Sequence, residues 1–197
     1  EKVNGQSKVR IQLQSGQSLF VRFLSDPDTP ASTTDRWAYR TFPGSGVEVD
    51  EPWTVTFTGG GPELPVPTKL DRLISWAELD DSRAEFYSGS AMYESSFHVP
   101  EAGRDVLSLG EIRESARIWI NGTEVGYVWS IPYEIDISRY VQSGQNTIRI
   151  EVVNLMANRI RYLDQEGISW RNYHEINFVN IDYQPFDASQ WDPVPSG

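Results

Sequence analysis

Apolar and polar residues alternate in short runs through the middle of the chain. Within residues 91–97, Ala91, Tyr93, Ser95 and Phe97 alternate with Met92, Glu94 and Ser96. Residues 147–153 alternate isoleucine and valine with arginine and glutamate. Shorter runs follow at 106–109 and 133–137. A period of two is typical of strands with one buried face. The pattern therefore predicts several short antiparallel strands, with little helical periodicity.

The centre of this region is a β-hairpin signal. Residues 115–120 and 124–129 flank the dipeptide Asn121-Gly122. Asn-Gly favours a type I′ turn because both central residues must tolerate positive φ. Asn121 also begins an Asn-Gly-Thr glycosylation sequon, but the turn is a sufficient explanation for these residues. Strands at such regular spacing predict an antiparallel β-sandwich.

Other segments carry weaker signals. We expect a hairpin within residues 9–23, further strands at 37–40 and 51–57, and a last strand at 176–183. Residues 70–79 fit a strand and a short helix equally well, because a short apolar run does not separate the two.

Turn-rich phrases separate these segments. Residues 59–67 are rich in glycine and proline and predict an irregular loop, and residues 138–141 predict one helical turn. The sequence after Asn154 predicts no regular structure until the last strand. We expect the final residues to form a surface tail, held in place by Phe186 and Trp191.

The chain of 197 residues is long enough for one large domain. A segment rich in proline, serine, threonine and aspartate at 26–35 marks a linker. We therefore expect an N-terminal hairpin and linker at 1–35, a β-sandwich at 36–185 and a C-terminal tail at 186–197. The hairpin either ends a preceding domain or adds strands to the main one. The first and last phrases indicate a piece of a longer protein.

Composition narrows the function. The formal net charge is −11, which disfavours binding to nucleic acid or to anionic lipid. No apolar run is long enough to cross a bilayer. The absence of cysteine excludes disulfides, thiolate metal sites and thiol nucleophiles. Seven Trp, nine Tyr and eight Phe suit both β-sheets and sugar-binding surfaces.

Three phrases in fixed order carry a family resemblance. They are SGSAMYESSF, then LSLGEIRESARIWINGTEVGYVWSIPYEIDIS, then GQNTIRIEVVNLMANRI. Together they resemble the galactose-binding-like jelly roll of family 2 glycoside hydrolases and the C-terminal β-sandwich of family 106 α-L-rhamnosidase-like proteins. The resemblance covers about residues 52–183 and implies an all-β, antiparallel, galactose-binding domain-like jelly roll.

The resemblance also implies a context. In such proteins the catalytic carboxylates lie on a separate barrel, so this chain is expected to be a non-catalytic accessory domain with carbohydrate and the parent's catalytic barrel as partners. It implies a bacterial protein acting on polysaccharide, extracellular or periplasmic, with its signal peptide outside this sequence. Two alternatives stay open: an autonomous carbohydrate-binding module, and a structural spacer without a ligand.

Candidate ligand contacts lie in the loops that follow the main strands. Sugars present apolar C–H faces and many hydroxyl groups, so their sites combine exposed aromatic rings with amides, carboxylates and guanidinium groups. Each candidate also has a structural explanation, such as packing or satisfying loop carbonyls. The candidates are Trp129, Asn154, Asn158, Arg159, Trp170, Tyr173 and Glu175.

No catalytic, metal or cofactor site is predicted. Glycosidases need two carboxyl groups about 5–10 Å apart, but with 28 acidic residues such pairs arise by chance. We expect Asp80-Asp81 and Glu175 to be solvated or structural. His98 and His174 have no metal-ligand spacing, and a structural Ca²⁺ has no motif to support it.

Overall fold

The computed structural model describes residues 2–3, 6–7, 9, 11–13, 16–21, 46–170 and 186–197. The chain divides into two compact units, Glu1–Val47 and Glu48–Gly197.

In the first unit, strand β1 (Lys2–Val3) pairs antiparallel with strand β2 (Gln6–Ser7). The hairpin predicted within residues 9–23 is wrong for the residues described there, because 11–13 and 16–21 form no strand. Their apolar side chains, including Phe20, are exposed. An alternating pattern stabilises a strand only where one face is buried against other residues.

The described residues of the second unit, 48–170 and 186–197, form two antiparallel sheets. A six-stranded sheet has the order β4-β3-β5-β10-β7-β8, and a two-stranded sheet pairs β6 with β9. The antiparallel β-sandwich predicted from the sequence is confirmed. In chain order the strands are β3 (Trp53–Gly61), β4 (Thr68–Leu70), β5 (Ser88–Val99), β6 (Val106–Ser108), β7 (Ser115–Ile120), β8 (Thr123–Val128), β9 (Glu134–Asp136) and β10 (Gly144–Val153).

The hairpin turn between β7 and β8 is confirmed. Asn121 and Gly122 have φ angles of 50° and 79°, as a type I′ turn requires. The Asn121 amide donates to the Asn146 side chain and to the Tyr140 carbonyl, and its oxygen accepts from the Thr147 amide. The side chain of Asn121 thus ties the turn to the start of β10.

The core lies on the inner face of the large sheet. Alternate residues of β3, β5, β7 and β10 point inward and are buried, as their period of two predicts. At one side Phe57, Trp76 and Tyr87 meet edge to face, with centroid distances of 5.0–5.7 Å. The Trp76 indole donates to the Tyr93 hydroxyl, and burial raises the pKa of Tyr93 to about 12.

The predicted glycine loop is partly wrong, because Gly59–Gly61 continue β3. They pair with residues 88–90 at the start of β5. A Cβ on Gly60 or Gly89 would collide with the backbone of the facing strand. The sequence signal for a turn was therefore a signal for two strand ends that approach each other too closely for side chains.

Helical segments were the main omission. Residues 70–79 contain the end of β4 and a 3₁₀ helix at Trp76–Glu78, so both alternatives occur. Helices α1 (Ser82–Glu85) and α2 (Ala157–Gln165) were not predicted. The cap residue Met156 makes no side-chain cap hydrogen bond, so the usual start signal of α2 is missing. The single turn at 138–141 is confirmed by the hydrogen bond from the Val141 amide to the Ile137 carbonyl.

The C-terminal tail is held by residues other than those predicted. Phe186 and Trp191 are exposed, whereas Ala188 and Ser196 are buried. The Ser196 backbone pairs with Ser75 and Trp76 through three hydrogen bonds of 2.8–3.1 Å. The predicted strands at 37–40 and 176–183 lie outside the described residues. Within the described ranges, no helix is long and apolar enough to cross a bilayer.

Candidate functional site

The loops that were predicted to carry function leave one end of the large sheet. Ala116 pairs with Val128, and Ser115 pairs with Val153. The chain therefore leaves β8 at Trp129 and leaves β10 at Asn154 on the same side. The paired ends of β3 and β5 lie at this end too, since residue 90 pairs with Val153. This sheet end is where the candidate residues were expected to meet.

Trp129 is exposed to solvent at the sheet end. Its side chain is 74% exposed, and Ile131 two residues later is exposed as well. Trp129 directly follows Val128, the buried last residue of β8, and Tyr127 before it is exposed. An exposed indole beside a sheet end is able to stack on the C–H face of a ring.

Trp119 lies on the outer face of the same sheet, in a different environment. The Arg117 guanidinium lies 4.8 Å from the Trp119 ring centroid and the Arg149 guanidinium 5.6 Å. Arg117 also pairs with Glu124, and Arg149 pairs with Glu94 at 3.1 Å. Trp119 therefore covers the outer face of the sheet, and two guanidinium groups of its own domain contact its ring.

Asn154 has a structural position at the sheet end. It is 8% exposed. Its amide donates to the Tyr87 carbonyl at 2.9 Å and to the Ser196 hydroxyl at 3.1 Å, and its oxygen accepts from the Gly89 amide at 2.9 Å. Asn154 thus joins β10, β5 and the C-terminal segment.

Asn158, the second residue of α2, has a similar structural position. It is 3% exposed, and it exchanges two hydrogen bonds of 2.8 Å with the Val194 backbone. This is the pairing that a neighbouring strand would make. Asn158 therefore fixes the C-terminal segment against α2, and its polar atoms already have partners in the chain.

Arg159 belongs to a stack of side chains. Its guanidinium lies 5.1 Å from the Tyr162 ring, and Tyr162 stacks on Phe86 with centroids 4.2 Å apart and planes at 19°. The buried Nη1 atom of Arg159 has no hydrogen-bond partner among the described residues. Stacking and cation–π attraction hold this side chain over α2.

The remaining candidates follow α2. The Trp170 indole donates to the Asp164 carboxylate at 2.7 Å, which fixes the ring against the helix. Tyr173 and Glu175 lie outside the described residues. The structure thus places Trp129, Asn154 and residue 90 at one sheet end. Asn158 and Arg159 are part of α2, and Trp170 is hydrogen-bonded to it.

Asp81, one of the acidic residues weighed as a catalytic carboxylate, makes structural contacts. Asp81 caps α1 through the Arg83 amide and pairs with the Arg83 side chain at 2.8 Å. This hydrogen bond lowers the pKa of Asp81 to about 2. The expected structural role of Asp81 is confirmed. Within the described residues, no three His, Asp or Glu side chains are grouped to hold a metal ion.

One aromatic pair was not recognised as a candidate. The rings of Phe186 and Trp191 have centroids 5.1 Å apart at 84°, and both are about half exposed. The sequence contained a signal: two aromatic residues in a polar, proline-containing segment with no partner pattern of their own. The sequence predicts that they anchor the tail, but the buried residues Ala188 and Ser196 do so instead.

Comparisons with known proteins agree with this fold. The chain is similar in structure to a rhamnosidase from Novosphingobium sp. PP1Y, with a TM-score of 0.54 and 30% sequence identity. The match covers 79% of this chain and 16% of the rhamnosidase chain. It is 30% identical over 118 residues to a β-glucuronidase of Paenibacillus borealis, covering 52% of this chain and 18% of that protein. It is 31% identical over 86 residues to a β-galactosidase of Priestia megaterium, covering 39% and 8%.

The chain spans between 8% and 18% of the lengths of the curated relatives it matches. A family model described as the glycosyl hydrolase 2 galactose-binding domain-like family matches residues 76–192. This match runs from the 3₁₀ helix, through the whole hairpin region and α2, into the C-terminal segment. The chain belongs to the galactose-binding domain-like family of glycosyl hydrolase 2.

Proposed function

We propose that this domain is a non-catalytic accessory module of a larger, exported glycoside hydrolase, and that Trp129 contacts the glycan. In this proposal the domain packs beside the catalytic barrel of its parent, and the sheet end forms one wall of the substrate cleft. The family membership supports a role within a glycosidase. The exposed Trp129 is the single observation that carries the glycan contact.

Several features support Trp129 over the other candidates. A monomeric domain gains stability by burying an indole, so an indole left 74% exposed at a sheet end is available for another contact. The amides of Asn154 and Asn158 already bind backbone groups within the chain. Arg159 and Trp170 are held against α2. In this proposal these four residues stabilise the domain, and Trp129 touches the sugar.

The glycan contact is tested by titrating the chain with oligosaccharides and following the indole Nε1–H resonances of the labelled protein. Trp129 should shift on titration, and Trp129→Ala should weaken oligosaccharide binding measured by calorimetry. Tyr127→Ala is the matched control, because Tyr127 is also exposed but lies under Arg117 on the sheet face. If Tyr127→Ala and Trp129→Ala behave alike, the assignment to the sheet end is wrong.

The accessory role is tested separately. The isolated chain should not hydrolyse aryl glycosides, and turnover by the purified chain would overturn the non-catalytic assignment. In the parent enzyme, Trp129→Ala should lower kcat/KM for a polymeric substrate more than for an aryl monoglycoside. Equal effects on both substrates would contradict a glycan contact outside the reacting sugar. Strong binding by the isolated chain would instead favour an autonomous binding module.

A further inference from the structure

The C-terminal segment presents two aromatic rings that the core does not use. Phe186 is 47% exposed and Trp191 is 55% exposed. Their planes meet at 84° with centroids 5.1 Å apart, so the two rings form a right-angled surface. Edge-to-face pairs of this kind are normally found inside cores or interfaces, where their area is removed from water.

Polar contacts with α2 hold the segment in place without covering the rings. Arg161 donates to the Trp191 carbonyl and pairs with Glu85 at 2.8 Å. Gln165 donates to the Ser189 carbonyl at 3.1 Å, and the Ala188 amide donates to Asp164 at 2.9 Å. Ala188, which lies between Phe186 and Trp191 in the sequence, is buried. The position of the pair is therefore fixed before any ligand arrives, which lowers the entropy cost of binding.

The surroundings indicate the chemistry of a ligand. Gln190 and Asp192, the chain neighbours of Trp191, are both exposed and offer an amide and a carboxylate beside the indole. Asp187 also lies next to Phe186, and the whole chain has a net charge of −11. Acidic surroundings disfavour an anionic ligand. Aromatic faces beside hydrogen-bonding groups suit a neutral sugar ring, with C–H bonds on its face and hydroxyl groups at its edge.

We propose that Phe186 and Trp191 form a second carbohydrate platform on this domain, which takes a neutral pyranose unit. This inference rests on the proposed function, because it assumes that the domain meets glycans. It adds a contact on the C-terminal segment beside α2, made by different residues from the contact at Trp129.

The test uses the full chain with labelled indoles and four probes: the methyl β-D-galactoside, methyl β-D-glucoside, methyl α-L-rhamnoside and methyl β-D-glucuronide. Titration has to exceed about 1 mM, since one or two stacking contacts give weak affinity. At least one neutral glycoside should shift the Trp191 Nε1–H resonance. Phe186→Ala should weaken that response about tenfold. Because Trp191→Ala deletes the reporter itself, it is made in the Trp129→Ala background, where it should abolish binding of the same glycoside measured by calorimetry.

Two controls separate this platform from Trp129. Trp129→Ala should leave the Trp191 response unchanged, and Leu155→Ala, which trims an exposed aliphatic residue before α2, should also leave it unchanged. If Trp129 shifts and Trp191 stays silent with every neutral probe, the platform is disproved and the proposed function stands. If Trp191 shifts and Trp129 stays silent, the sheet-end contact is disproved instead. Silence at both positions refutes both, and a response to the glucuronide alone refutes a neutral ligand.

Discussion

Trp119 and Trp129 lie ten residues apart on the same hairpin, yet their environments differ. Trp119 lies between two arginines that are themselves paired with glutamates on neighbouring strands. Trp129 lies past the last pair of the β7–β8 ladder and is 74% exposed. On the sheet face the Trp119 ring contacts side chains of the domain, whereas at the sheet end the Trp129 ring lies mostly in solvent. We therefore expect changes on the sheet and at its buried amides to affect stability, and changes at the exposed aromatics to affect binding.

The largest loss of stability should follow Asn154→Ala. This change leaves the Tyr87 carbonyl and the Gly89 amide without their buried partner. We expect unfolding to become easier by about 3 kcal/mol, since unsatisfied buried groups cost about 1–3 kcal/mol each. Chemical denaturation measures the loss. Leu155→Ala, at the exposed next residue, should change stability little, and equal losses in both variants would contradict the network's role.

Stability should also depend on pH through the carboxylate of Asp81, which is paired with Arg83. Its pKa is lowered to about 2 from a reference of 3.8, mainly by the hydrogen bond from Arg83. The unfolded state therefore takes up a proton at higher pH than the folded state does. The stabilisation is present above about pH 4 and is lost as the pH falls towards 2. Solvent reaches the partly exposed Arg83 partner and limits its size.

Asp81→Asn tests this linkage. At neutral pH the variant should have a lower Tm than the unsubstituted protein, and the two curves should converge as the pH approaches 2. Asp50→Asn, at an exposed position, is the control and should follow the unsubstituted protein throughout. A difference in Tm that stays constant down to pH 2 would show that the Asp81 charge is not the cause.

How much of this was predictable depends on where each signal lies. The strands with one buried face were predicted because Ile148, Ile150 and Val152 alternate with polar residues, and φ at Asn121-Gly122 followed from turn chemistry. The two helices were not predicted: α1 has four residues, and α2 buries only Asn158 and Leu163. Neither offers enough apolar periodicity to be recognised.

The candidate site was harder to predict for a different reason. From sequence, an asparagine after a strand looks the same whether it binds a sugar or a backbone. Asn158 bonds to Val194, 36 residues away, and Asn154 bonds to Tyr87, 67 residues away. Partners at such separations leave no local pattern. Exposure of Trp129 likewise depends on where the sheet ends, which only the folded register determines.

A smaller effect should follow removal of the arginine cover of Trp119. Arg117→Met keeps much of the aliphatic stem but removes the charge that lies over Trp119 and Tyr127 and pairs with Glu124. We expect only a small drop in Tm, because cation–π contacts and ion pairs that are exposed to solvent stabilise a fold weakly. Acrylamide quenching of tryptophan fluorescence should increase as Trp119 becomes accessible. Unchanged quenching would show that Arg117 does not shield the ring.

Trp129→Ala should change stability least of all. The indole is mostly in water, so truncation removes little buried area, and the Tm should stay within the shift that corresponds to about 0.5 kcal/mol. The same variant should lose the sheet-end response to oligosaccharide. Trp119→Ala is the opposite control, since it removes a ring that packs against two arginines and should lower the Tm without removing glycan binding. If Trp129→Ala instead destabilised the fold as strongly as Trp119→Ala, the distinction between the closed sheet face and the open sheet end would fail.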